Sequence, residues 1–337
     1  MIRLAWRQFR TEAVVGFAGL VLVAVVLVVT GPHLVYVFDT ARDQVPGTDR
    51  GLQIAVAALF LLTPVLVGDF FGAPLIASEL ESGTFRLAWT QGVTRSRWLV
   101  VKLALVGIAS SLLAGGLSLM AAWWANPMNI VNQNRFSPSN FGMFGIVPFG
   151  YALFAFVLGA TTGVLFRKTL PALACTLAGY VGVRLAVTFW VRPYFEAPAH
   201  MTKALSTMIS FSFTRTAEGI SVAAYWPPVP NGWALSAKIV NRAGQAPTSQ
   251  YLERACPMLG AAPGPGAARV AEGPHAIASG TGMQACIANL ATKFHEVITY
   301  QPASRYWPFQ AYETGLFVVL ALALAGFSLW WVRRRMA

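Results

Sequence analysis

The sequence predicts an all-α polytopic membrane protein. It has six transmembrane helices, both termini on the cytoplasmic side, an N-terminal interfacial helix, and an extracytoplasmic domain between spans five and six. Three observations predict this. Of 337 residues, 56% are hydrophobic and only 11% are charged. An ordinary soluble domain carries about 25% charged residues, so a disordered chain is excluded and a cytosolic enzyme disfavoured. Six apolar stretches reach the roughly 20 residues that a helix needs to cross a hydrocarbon core about 30 Å thick. Most of the net charge of +12 sits on the two termini and the short segments between those stretches that would share one side of the membrane, where 12 Lys and Arg face only Glu12, Glu79 and Glu81.

Residues 1–12 come first. Ile2, Trp6 and Phe9 recur at helical spacing beside Arg3, Arg7 and Arg10, which predicts an amphipathic helix lying in the headgroup boundary. Residues 13–191 then hold five spans, at about 13–35, 52–77, 103–124, 143–166 and 170–191. The first follows basic residues as a signal peptide would. It is too long for a signal h-region and lacks a small-x-small cleavage site, so it reads as retained. Pro64, Pro74 and Pro148 fall inside spans and predict kinks. Residues 309–337 form the sixth span and a basic tail ending in Arg333, Arg334 and Arg335.

Charge sets the orientation. With the N-terminus inside, four short inner segments carry Arg3, Arg7, Arg10, Arg86, Arg95, Arg97, Lys102, Arg167, Lys168, Arg333, Arg334 and Arg335. The two short outer loops carry only Arg42, Arg50 and Arg135. This is the positive-inside pattern. It accounts for the basic balance without a nucleic-acid partner.

Residues 192–308 form the extracytoplasmic domain. The stretch 256–282 is rich in Gly, Ala and Pro and reads as irregular loop. Met283, Ile287, Leu290, Phe294 and Val297 keep helical spacing and predict one amphipathic helix over 283–300. Cys256 and Cys286 lie in this domain, where an oxidising compartment favours a disulfide. Cys175 lies in span five and reads as a small packing residue. His33, His200, His275 and His295 are scattered without ligand spacing, so no metal site is expected.

Asp69, Arg184 and Glu313 lie within spans, where a charge must face protein or a water-filled path. Arg184 and Glu313 both sit toward the outer halves of their helices, so depth favours pairing them. They read either as an element of a polar path or as a structural pair. Gly159 and Gly163 make a G-x-x-x-G in span four, which permits close helix approach.

Residues 78–102, between spans two and three, carry the densest pattern. Glu79 and Glu81 end span two, Gly83 and Thr84 punctuate, and Arg95, Arg97 and Lys102 flank entry into span three. Between them Phe85, Leu87, Ala88 and Trp89 put apolar side chains outside the membrane, with Arg86 among them. Apolar surface rimmed by charge marks a partner interface.

The motif Glu79-x-Glu81-x-Gly83-Thr84, with Arg95 and Lys102 at their spacings after the glycine, resembles the cytoplasmic loop of ABC-2-type transporter permeases. Gly92 departs from it, standing where many members carry proline. The six-span layout is similar too, and the outer segment resembles the placement in ABCG-type half-transporters. The resemblance implies that 78–102 is a coupling helix docking on a separate ATP-binding subunit. Two such subunits, holding ATP and Mg, would then serve two permease copies, identical or homologous, in the inner (cytoplasmic) membrane. It implies export of an amphipathic or lipophilic substrate such as a drug, peptide antibiotic or lipid. No G-x-x-x-x-G-K-[ST] occurs, so the chain is expected to bind no cofactor and to be no enzyme itself. Membrane lipid is its other expected partner. The residues also admit a different class, a membrane sensor or scaffold whose outer domain binds a ligand or partner without transport.

Overall fold

The computed structural model describes residues 14, 18–19, 21–32, 36, 47–83, 94–124, 135–205, 211–216, 219–224, 229–257 and 281–335. The chain divides into two units, one of Met1–Phe195 with Tyr306–Ala337, the other of Glu196–Arg305.

The first unit is helical. Its elements are α1 (Val21–Pro32), α2 (Gly47–Leu66), a π-helical turn (Val67–Gly72), α3 (Ala73–Ser82), α4 (Arg95–Trp124) and the short α5 (Pro138–Phe141). Then come α6 (Val147–Phe166), α7 (Thr169–Ala186), a second π-turn (Val187–Val191), a 3₁₀ turn (Arg192–Tyr194) and, after the second unit, α10 (Tyr306–Arg335). Among the described residues, five stretches are long and apolar enough to cross a membrane: Ala58–Ser82, Arg95–Trp124, Val147–Phe166, Thr169–Tyr194 and Ala303–Arg335. The chain is thus a multi-pass membrane protein. Of the first expected span, the described part is mainly α1, shorter than the other five. The interfacial helix expected at 1–12 lies outside the described residues.

α6 is the centre of this bundle. Its apolar stretch is 72% buried, against 22% for those of α7 and α10. Small residues make that possible, because lipid tails are as apolar as leucine and helices associate where backbones approach closely. A Cβ on Gly163 would meet the Ala73 carbonyl oxygen at 2.8 Å, and one on Gly68 the Ala155 carbonyl oxygen at 2.8 Å. A Cβ on Gly72 would meet the Phe156 carbonyl oxygen at 2.5 Å. The G-x-x-x-G of α6 therefore seats on a second one, Gly68 to Gly72, formed by the π-turn. The prolines are accommodated rather than breaking spans. Pro148 lies in the first turn of α6 and Pro74 in the first turn of α3, where the missing N–H is cheap. The π-turn directly before Pro74 widens the helix where its ring would crowd the carbonyl four residues back.

The second unit is not helical throughout. It contains β1 (Ala199–Ala204), β2 (Phe211–Thr216), β3 (Gly219–Ala224), β4 (Trp233–Asn241), α8 (Ser249–Ala255), α9 (Thr281–Ala291) and β5 (Phe294–Gln301). The order β1-β5-β4 makes one antiparallel sheet, and β2 pairs with β3 in another. The all-helical expectation is corrected for this segment. So is the single helix expected over 283–300, which stops at Ala291 and is followed by β5. Val297, Ile298, Thr299 and Tyr300 are β-branched or aromatic and suit a strand. Phe294, Glu296 and Ile298 are buried on alternate positions, a period of two rather than 3.6.

Cys256 and Cys286 are joined in a disulfide with Cα atoms 4.6 Å apart. It ties the end of α8 to α9 among Leu252, Ile287, Leu290, Ile239 and Phe294, which form the unit's core. Closing a loop of 30 residues contributes about 3–4 kcal/mol in the chain-entropy account.

Glu296 interrupts the same side of the sheet. It is fully buried, and neither carboxylate oxygen has a hydrogen-bond partner among the described residues. Its cross-strand neighbours are Lys203 on β1 and Ile239 on β4. Burial pushes the Glu296 carboxyl above its ordinary value, and the Lys203 charge opposes this more weakly. A raised value means that the folded state holds the proton more tightly than the unfolded one. Stability is therefore complete below the ordinary value of 4.5 and is lost as pH rises through the raised one. Glu296→Gln should remove that component. Thermal melts of the full chain in detergent, from pH 4.5 to 8, should fall for the wild type and be flatter for the variant. Equal slopes would contradict the burial of this carboxyl.

Candidate functional site

The first unit places its charged groups at three levels. At the basic end, Gly83 closes α3 in the left-handed conformation, φ 73°, which glycine adopts without strain. Glu79 receives Lys102 in an ion pair of 2.6 Å, with the lysine side chain only 6% exposed. Lys102 also donates to the Leu75 carbonyl at 3.4 Å and lies 5.0 Å over the Trp98 ring. Glu81 accepts from the Thr169 N–H at 3.0 Å and from its hydroxyl at 2.8 Å, so it caps α7 from another helix. Arg333 donates to the Ser96 hydroxyl at 2.8 Å. Arg95 is half-buried and Arg97 exposed in the first turn of α4.

Glu79, Glu81 and Lys102 are thus engaged inside the chain. They fasten both roots of the connection between α3 and α4. Thr84, Phe85, Arg86, Leu87 and Trp89, the remaining residues of the expected docking surface, lie outside the described residues.

At the middle level stands Asp69, on the first π-turn. Its Oδ1 is buried without a hydrogen-bond partner among the described residues.

At the opposite end a buried polar cluster joins α6, α7 and α10. Arg192 and Glu313 are both inaccessible to solvent and pair at 2.6 Å through Nε and 2.8 Å through Nη2. Such a two-point fork fixes geometry as well as charge. The Tyr151 hydroxyl donates to Glu313 Oε1. Arg192 Nη2 also reaches the Tyr151 and Thr188 hydroxyls, each at 3.3 Å, and the guanidinium lies 4.4 Å over the Phe141 ring.

The pairing expected from depth, Arg184 with Glu313, is corrected here. Arg184 instead stacks 3.8 Å over the Tyr151 ring and donates to the Tyr180 hydroxyl at 3.3 Å. The cause is the second π-turn and the 3₁₀ turn after it. They carry the helical path past Ala186, so that Arg192, assigned by hydropathy to the loop beyond the span, turns into the bundle.

Gln310, one helical turn before Glu313, completes the cluster. Its Oε1 accepts from the Ile146 and Val147 N–H groups at 3.1 and 3.0 Å, and its Nε2 donates to the Phe141 and Phe144 carbonyls, both at 3.0 Å. All four of its hydrogen-bonding sites are used to hold the chain entering α6. Gly145, at φ 85°, leaves the room that Gln310 occupies. Sequence reasoning missed Arg192, Tyr151 and Gln310. The available signal was Gln310 and Glu313 at i, i+3 on one face of an otherwise apolar helix.

Among the described residues no group of three or more His, Cys, Asp or Glu could hold a metal ion. The cluster presents a two-point ion pair, with Arg192 Nη1 left without a hydrogen-bond partner among the described residues, so its chemistry is that of a fastening between helices.

No curated protein and no solved structure matches the chain. Residues 17–192, which run from within the first apolar stretch to Arg192, match the family described as ABC-2 membrane transporter related. That match covers more than half of the chain and every helix of the first unit except α10, so the chain belongs to the ABC-2 membrane transporter family, a permease of the ABC-2 type.

Proposed function

We propose that this permease is the membrane subunit of an ATP-driven exporter that moves an amphipathic or lipophilic substrate outward. Six spans with both termini in the cytoplasm put Glu79, Lys102 and the basic tail inside, and the 196–305 unit outside. Two ATP-binding subunits, carrying ATP and Mg, dock on the connection between α3 and α4. A second permease copy or a homologue completes the pathway in the inner membrane. Family membership carries this reading. The anchoring of the connection supports it. A segment rooted by Glu79–Lys102 and by Glu81–Thr169 transmits force to two helices at once.

Co-purification tests it. The wild-type chain extracted in mild detergent should bring an ATP-binding subunit with it. The triple replacement Phe85→Ser, Leu87→Ser and Trp89→Ser should weaken that association about tenfold or more, the scale of losing central aromatic anchors, with membrane insertion unchanged. If no such subunit accompanies the wild type, the exporter reading fails and a sensor or scaffold takes its place.

A further inference from the structure

Among the described residues, Asp69 of the first unit has no charge beside it to balance its own. Asp69 lies near the middle of the apolar stretch Ala58–Ser82, which is long enough to cross a membrane. Its Oδ1 is buried without a partner, and no cation pairs with it among the described residues. Among the described residues, the buried cations of the bundle are engaged elsewhere. Lys102 serves Glu79, Arg192 serves Glu313, and Arg184 rests on Tyr151 and Tyr180.

The backbone holds Asp69 in place. It sits on the π-turn whose glycines, Gly68 and Gly72, lock against the α6 carbonyls of Ala155 and Phe156. π-turns inside long helices recur at functional sites. Around it, Leu62, Leu66 and Phe70 are 52%, 41% and 67% exposed, an apolar surface uncovered by the described residues. An ionised carboxylate in lipid is expensive, so such residues face a pathway or a partner. Apolar surface flanking one fixed negative charge is complementary to an apolar molecule carrying one positive charge.

We propose that Asp69 is the counter-charge for a cationic, amphipathic substrate, an organic ammonium or phosphonium. The proposal rests on the permease reading and narrows its substrate class.

The probe is tetraphenylphosphonium, with tetraphenylborate as the anion of the same shape. Binding is measured by equilibrium dialysis on the full chain in non-ionic detergent. The wild type should bind the cation. Asp69→Asn should weaken binding about tenfold or more, as loss of a desolvated charge partner does. Asp69→Glu should retain it, and no variant should weaken binding of the borate. No cation binding by the wild type, or equal binding by Asp69→Asn, overturns the proposal.

A second measurement needs no variant. Tetraphenylphosphonium should protect Asp69 of the wild type from dicyclohexylcarbodiimide, read by mass spectrometry. Labelling that is unchanged by the cation overturns the proposal as well. The same preparations are assayed for the ATP-binding subunit. If the subunit is present but cation binding is absent, this inference alone fails. If the subunit is absent, the exporter reading fails, whatever the cation does.

Discussion

Replacing Glu313 with alanine is expected to destabilise the chain by about 3–5 kcal/mol, the cost of stranding a buried partner charge. Arg192 is inaccessible to solvent and has its two-point fork on Glu313 alone. Its remaining hydrogen bonds run to neutral hydroxyls of Tyr151 and Thr188 at 3.3 Å. Without the carboxylate the guanidinium would lie uncompensated where three helices meet. The double replacement Glu313→Gln with Arg192→Met removes both charges and should recover much of the loss, because the penalty lies in the unpaired charge. Reversible unfolding of the purified chain in mixed detergent, followed by tryptophan fluorescence, measures both. Equal stabilities of the Glu313→Ala chain and the wild type would mean that the pair is not desolvated.

Gly159→Val is the other large effect, at about 3 kcal/mol or more, because overpacking here meets backbone and not a side chain that can turn away. A Cβ on Gly159 already meets the Ala73 amide nitrogen at 2.7 Å, and the Gly68 carbonyl oxygen lies nearer still. The added side chain would push α6 off the π-turn. The π-turn itself has no slack, since Gly68 and Gly72 meet α6 from the other side. Gly182 and Gly326 provide the control. Neither has any atom within 4 Å of an added Cβ, so Gly182→Ala and Gly326→Ala should be neutral, or better by up to about 1 kcal/mol through helix propensity. Folded yield on size exclusion, followed by melting temperature, separates the two cases. A Gly159→Val chain that folds and melts as the wild type does would refute the close packing.

The two sites differ in how far the sequence reaches them. The apolar stretches of the first unit were legible because a membrane demands about 20 apolar residues per span, a signal that survives without tertiary knowledge. Gly159 and Gly163 were visible as a spacing, but their partner was not. The matching pair Gly68 and Gly72 is ordinary in sequence and becomes an interface only when a π-turn faces α6. Glu313 was readable as a charge needing compensation. Its partner was misassigned because hydropathy ended the span before Arg192, whereas the helical path continues through irregular turns to bring it inside.

The 196–305 unit shows the limit from the other direction. Phe294 and Val297 fit the helical spacing of Met283, Ile287 and Leu290. A short apolar pattern serves two periods equally well, and strand pairing with β1 and β4 decides between them.

By itself the sequence determined that the chain lives in a membrane, which segments are apolar enough to cross it, which residues within them carry charge, and that an acid-Gly-Thr segment joins two of the helices. All of these depend on composition and local spacing. Tertiary structure alone decided that Arg192 and not Arg184 neutralises Glu313, that Glu79 and Lys102 spend their charges on each other, that the two glycine pairs interlock, and that Asp69 Oδ1 finds no hydrogen-bond partner among the described residues. Those outcomes depend on which helix faces which across distances of 2.6–3.8 Å. Partners separated by up to 121 residues in the chain meet only once the bundle has closed.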